Sequence, residues 1–140
     1  MEMTRFMMSV NQAVSLVLKA LLLSKGGDVF VLKMPVVKLG DLIQVLFEAF
    51  TDSSETKNKI QIIGPRSGEK MYEELLSEEE AKIALELDDM FVLPAQWKKV
   101  HHYSPAKPAA NDSYCSKDIP PISINQIKTL LLDAGIILNP

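Results

Sequence analysis

The sequence predicts an α/β fold, a small lobe with two or three short strands covered by helices. Three observations point there. Helix-like and strand-like segments alternate from Ser9 to Ile63. A strand-like run, Ile60-Gln61-Ile62-Ile63, leads into the Gly64-Pro65-Arg66-Ser67-Gly68-Glu69-Lys70 turn. A third strand candidate, Met90-Phe91-Val92-Leu93, is stopped by Pro94. So few strands make a small sheet that needs other elements to cover it, as in the smaller lobe of something larger.

The elements follow in order. Ser9 is placed to cap a helix whose apolar positions Val10, Ala13, Val14, Val17, Leu18, Leu21 and Leu22 share one face at a period near 3.6. Gly26-Gly27 ends it, because glycine accepts the left-handed conformation favoured at helix stops. Asp28 to Leu32 reads as a short buried strand, and Pro35 interrupts. A second helix follows with Leu39, Leu42, Ile43, Leu46, Phe47 and Phe50 inward. Thr51 to Lys59 is polar and reads as a loop before the 60–63 strand.

Met71 to Leu76 resembles a short helix, and Ser77 with Glu80 forms a capping box for another. Lys82 to Leu87 fits strand or helix. Composition shifts after Pro94, since residues 95–121 hold Pro105, Pro108, Pro120 and Pro121 and few aliphatics. That stretch reads as an extended arm on a surface, or as partly disordered. Ser123 caps a last helix with Ile124, Ile127, Leu130, Leu131 and Ala134 inward, closed by Gly135. The expected division is residues 1–94 as a binding lobe and 95–140 as proline-rich arm plus helix.

Composition bounds the function. The 140 residues carry 47% apolar and 24% charged side chains, an ordinary globular balance that allows one real core. A formal charge of −3 with no Lys/Arg cluster speaks against a nucleic-acid face. The lone Cys115 excludes an internal disulfide and fits a reducing compartment. Ala13 to Leu23, broken by Lys19, is too short to span a bilayer, and no signal-peptide pattern opens the chain. The expectation is a soluble, cytoplasmic protein.

Chemistry concentrates in the Gly64–Lys70 turn. Arginine's planar fork suits the oxygens of a diphosphate, and a carboxylate nearby can accept from sugar hydroxyls. Arg66 and Glu69 are therefore the first candidates for a nucleotide-sugar site, against the plainer reading of an ion pair in an ordinary turn. Other groups offer less. His101-His102 lacks an acidic or cysteine partner at metal-ligand spacing. Glu73, Glu74, Glu78, Glu79 and Glu80 read as a solvated acidic face, and Cys115 lies in a polar arm. Trp97 reads as an anchor for that arm. No metal site and no catalytic residue is expected.

Met3-Thr4-Arg5-Phe6, the amphipathic helix behind it, Gly26 to Val31, the Arg66–Lys70 turn, Asp88 to Val92 and Tyr103-Ser104 resemble, in that order, the extended short-chain dehydrogenase/reductase (SDR) group of nucleotide-sugar enzymes. The nearest likeness is to its polysaccharide-biosynthesis branch, the UDP-N-acetylglucosamine 4,6-dehydratases and epimerases of capsule and flagellin-glycan pathways. The likeness is to the family's C-terminal, substrate-binding part. It implies that Arg66 contacts the pyrophosphate of a UDP-sugar and Glu69 its ribose. Arg5 would be a second diphosphate arginine, with Thr4 in the same groove. The family's proline is replaced here by Ser67.

The resemblance also implies a Rossmann domain with a Gly-rich loop, a Tyr-x-x-x-Lys pair and bound NADP or NAD, and this chain contains no GxxGxxG. Its one Tyr-x-x-x-Lys spacing, Tyr103 to Lys107, contains Pro105, which spoils the helical turn such a pair needs. The expected chain is thus catalytically silent alone. Its expected partners are a UDP-sugar, a Rossmann-domain chain and further copies of itself. A stand-alone UDP-sugar-binding module and an oligomerisation role for the arm are the alternatives.

Overall fold

The computed structural model describes residues 2–51, 60–95, 103 and 106–137. The element order is β1 (Thr4–Phe6), α1 (Val10–Leu23), β2 (Val29–Leu32), β3 (Val36–Lys38), α2 (Leu39–Phe50), β4 (Glu74–Leu76), α3 (Glu78–Ala81), β5 (Leu85–Glu86), β6 (Met90–Leu93), β7 (Lys107–Pro108), β8 (Tyr114–Cys115) and α4 (Ile124–Asp133). Three helices start by one device. Ser9, Ser77 and Ser123 each accept from the amide three residues on, and Gln12, Glu80 and Gln126 reach back to the cap's own N–H. Each box satisfies two orphan amides. Gly26 and Gly27, at φ +93° and +77°, turn the chain after α1 as the sequence requires.

The strands form three small antiparallel sheets, β1–β3, β2–β6–β5–β7 and β4–β8. Loop amides join two of them. Thr4 N–H donates to Met71 O at 3.0 Å and Ser116 N–H to Glu73 O at 2.8 Å, so β1 continues sideways through residues 71–73 to the β8 end.

Two apolar clusters hold the halves together. Val37, Val45, Ile127 and Leu131 bury α2 against α4. Leu76, Ala84, Phe91 and Tyr114 form the other, with Phe6 stacked on Tyr114 at 4.8 Å between ring centroids. A buried Leu or Phe side chain stabilises by roughly 1.5–3 kcal/mol. The Tyr114 hydroxyl accepts from Met34 N–H and donates to Met34 O, so its burial leaves no polar atom unmet. A smaller cluster joins Leu85, Val92 and Tyr103.

The mixed α/β class holds, but the strand count does not. There are eight short strands among the described residues, not two or three. Residues 60–63 form no strand, and Ile62 is 80% exposed, because no strand among the described residues pairs with that run. Residues 74–76 pair with β8 instead of forming a helix, so long-range pairing overrides local propensity. Within the ambiguous 82–87 stretch, Leu85–Glu86 is strand.

In α2 the buried residue is Val45, while Phe50 is exposed. Residues expected to lie on a surface arm include Tyr114, Cys115 and Ser116, all buried. Beyond residue 94, β7 pairs with β5, β8 with β4, and α4 packs on α2. The face of α1 expected inward is open to solvent. Most of the 51–59 loop, Trp97, His101-His102 and Ser104 lie outside the described residues.

Candidate functional site

The turn that carries Arg66 is closed by Glu69. Glu69 N–H donates to Arg66 O at 3.0 Å, and the Glu69 carboxylate accepts from Arg66 N–H at 2.9 Å. Gly68 sits at φ +82°, a conformation that L side chains rarely adopt, so the residue type is required by the backbone. Both side chains are exposed, and the Arg66 guanidinium has no partner among the described residues. One Glu69 oxygen is thus committed to the turn, while the Arg66 cation is available to a ligand.

Arg5 ties this segment to β1. Its Nη2 donates to Lys70 O at 2.9 Å, its Nη1 to Thr4 O at 2.8 Å, and its Nε lies 3.6 Å from Glu73 Oε1. The other Glu73 oxygen accepts from Phe6 N–H at 2.9 Å. Thr4 is nearly buried, with Oγ1 2.9 Å from Ser116 Oγ, and Ser116 Oγ in turn accepts from Glu73 N–H at 2.9 Å. Thr4, Arg5, Glu73 and Ser116 therefore form one polar network. It anchors the strand that leads away from the Arg66 turn.

Beside this network opens a cavity of about 340 Å³, with Thr4 and Ser116 among its lining, together with Lys38, Met71, Tyr72 and Lys117. Lys117 Nζ stands 4.8 Å over the Tyr72 ring, and Lys38 pairs with Glu2 at 3.1 Å. Glu2 also lines the cavity and pairs with Lys38, and the Thr4 and Ser116 hydroxyls are bonded to each other, so Lys117 is the cation left at its edge. Of the four candidates, Thr4 and Arg5 are joined directly. The Arg66–Glu69 turn is linked to them through Lys70.

Sequence reasoning missed Glu73 and Ser116. Glu73 was read as part of a solvated acidic face, yet it neutralises Arg5 and completes β1's hydrogen bonding. Ser116 gave no local signal, because its partners lie far away in the chain. Tyr103 is buried and Lys107 lies in β7, so this pair shares no helical face.

The polysaccharide biosynthesis protein model matches residues 1–95, which include β1, the Arg66 turn and β6. The chain belongs to the polysaccharide biosynthesis protein family. Among relatives of this family member, an uncharacterized membrane protein of Methanocaldococcus jannaschii is 54% identical over 95 residues, covering 66% of this chain and 28% of the relative. A UDP-glucose 4-epimerase of Rickettsia canadensis is 37% identical over 136 residues, 94% of this chain and 39% of the epimerase. The X-ray structure of Pen from Bacillus thuringiensis superposes with a TM-score of 0.82 at 41% identity, over 97% of this chain and 39% of that one.

The resemblance read from the residues holds at the level of the extended SDR nucleotide-sugar enzymes. The chain spans about two fifths or less of these relatives' length. Among the described residues, no helix is long and apolar enough to cross a membrane.

Proposed function

We propose that these residues form the nucleotide-sugar-binding lobe of a UDP-sugar 4,6-dehydratase or epimerase of surface-polysaccharide synthesis. Arg66 grips the diphosphate and Glu69 accepts from the ribose with its uncommitted oxygen. Arg5 adds positive potential and holds Lys70 in place, and Thr4 contributes to the wall of the neighbouring cavity. The observation that carries this reading is the exposed Arg66 guanidinium, without a partner among the described residues, on a turn that Glu69 closes. The family match and the epimerase relatives support it.

A dinucleotide does not fit this chain's own residues. The pyrophosphate of NADP or NAD needs a glycine-rich turn between strand and helix. Here β1 enters α1 through Met7-Met8-Ser9, and the Ser9 box already occupies the helix start. β3 runs directly into α2 with no loop between them. We therefore assign NADP or NAD and the reacting groups to a Rossmann domain, and no reaction step to these residues.

Calorimetric titration with UDP and with uridine tests the reading. UDP should bind at least about tenfold more tightly, the order expected when one charge-assisted bond to the diphosphate is gained. Equal affinities would remove the diphosphate grip.

A further inference from the structure

Ser116 is buried in the segment beyond residue 95, outside the 1–95 stretch that the family model matches. It holds both backbone polar groups of Glu73. Its Oγ accepts from Glu73 N–H at 2.9 Å, and its own N–H donates to Glu73 O at 2.8 Å. Glu73 in turn faces Arg5, whose Nε lies 3.6 Å from the carboxylate. Arg5 Nη2 then donates to Lys70 O at 2.9 Å. Among the described residues, that is the one hydrogen bond from the Gly64–Lys70 turn to the rest of the lobe. The turn's other bonds run between Arg66 and Glu69.

We propose that Ser116 is a positioning residue for the Arg66 guanidinium, acting through Glu73, Arg5 and the Lys70 carbonyl. This rests on the reading of the turn as a diphosphate grip. A ligand-binding charge must be held to within about 0.5 Å by groups that are themselves fixed. The turn does not supply that alone, because Arg66 and Glu69 are exposed and open space surrounds Gly64 and Gly68. Its orientation is set where Arg5 ties it to β1. Glu73 aims Arg5, since one carboxylate oxygen is fixed by Phe6 N–H at 2.9 Å and the other faces the guanidinium. Ser116 fixes the backbone from which that carboxylate projects. Removing its hydroxyl frees Glu73 N–H, and the displacement passes through Arg5 to the turn.

The test compares UDP with uridine, which lacks the diphosphate, by calorimetric titration of the 140-residue chain. Wild type, Ser116→Ala, Glu73→Gln, Arg66→Ala and the double variant Ser116→Ala/Arg66→Ala are titrated. Unfolded protein lowers both apparent affinities by the same factor and leaves their ratio unchanged. Loss of positioning lowers the UDP affinity alone. The UDP-to-uridine ratio should fall about three- to tenfold in Ser116→Ala, part of the roughly 10- to 100-fold carried by one charge-assisted bond. Glu73→Gln, which keeps an acceptor for Phe6 N–H, should lower the ratio in the same direction. In the Arg66→Ala background, Ser116→Ala should lower it no further, because the positioned group is gone.

An unchanged ratio in folded Ser116→Ala overturns the inference and leaves the diphosphate reading standing. A further fall in the Arg66→Ala background also overturns it, since Ser116 would then act on the ligand by another route. If Ser116→Ala does not fold, Glu73→Gln and its pair with Arg66→Ala decide by the same two criteria. Equal UDP and uridine affinities in the wild type remove the diphosphate reading, and this inference with it.

Discussion

Thr4 Oγ1 and Ser116 Oγ lie 2.9 Å apart in the protein interior, 112 residues apart in sequence. Through Ser116, the N-terminal strand and the segment behind the Arg66 turn share one hydrogen-bond network. Ser116→Ala deprives Glu73 N–H of its acceptor and the Thr4 hydroxyl of its partner. It should cost about 1–3 kcal/mol, read by urea unfolding. In a double-mutant cycle with Thr4→Ala, the second substitution should cost clearly less than it does alone. Strict additivity would show that the pair is uncoupled.

Glu73 serves two partners, and they can be separated. Glu73→Gln keeps an oxygen for Phe6 N–H but loses the charge facing Arg5. It should lower stability by at most about 1 kcal/mol, because the pair is partly exposed. Glu73→Ala also strands the amide and should cost about 1–3 kcal/mol. Unfolding curves of the two variants that coincide would contradict this division.

Acid sensitivity should run through Lys33 and Glu86. The Lys33 ammonium, 2.7 Å away, holds the Glu86 carboxyl below its usual range against the opposing effect of burial. A depressed carboxylate stabilises above its unfolded pKa, and that stability is lost as pH falls through the folded value. Lys33→Met should therefore flatten the stability–pH curve on the acid side of the carboxylate range. An unchanged acid limb would show that the pair carries none of it.

At the alkaline end the slope has the opposite sign. Burial first, and then the Asp28 carboxylate, push the Tyr103 hydroxyl up to about 12 from an ordinary 10. A raised phenol stabilises below the unfolded value and loses that contribution as pH climbs from 10 toward 12. Burial also raises the Tyr114 hydroxyl, so tyrosinate absorbance should show two rings ionising late in the wild type, and Tyr103→Phe should remove one of them. A titration unchanged in Tyr103→Phe would contradict the assignment.

Much of the fold was legible because it is written locally. The three serine boxes and the paired glycines after α1 each act within a few residues. What failed depends on distant partners. The period of α1 was correct, but period alone cannot say which of two apolar stripes meets the lobe. Ile60 to Ile63 has a strand's composition and no pairing partner among the described residues, while Glu74 to Leu76 is a strand because Tyr114 and Cys115 lie beside it. The candidate site divides the same way. Arg66 and Glu69 announce themselves in one turn, whereas Glu73 and Ser116 matter only through contacts made across the chain.

Titration of UDP into the wild type and into Arg66→Ala tests the central claim most directly. Arg66 is exposed and its side chain makes no hydrogen bond or ion pair among the described residues, so its removal should leave the fold and its unfolding curve unchanged. The predicted result is a loss of affinity of roughly 10- to 100-fold, the range for one charge-assisted bond. Equal affinity in the two proteins would contradict the account.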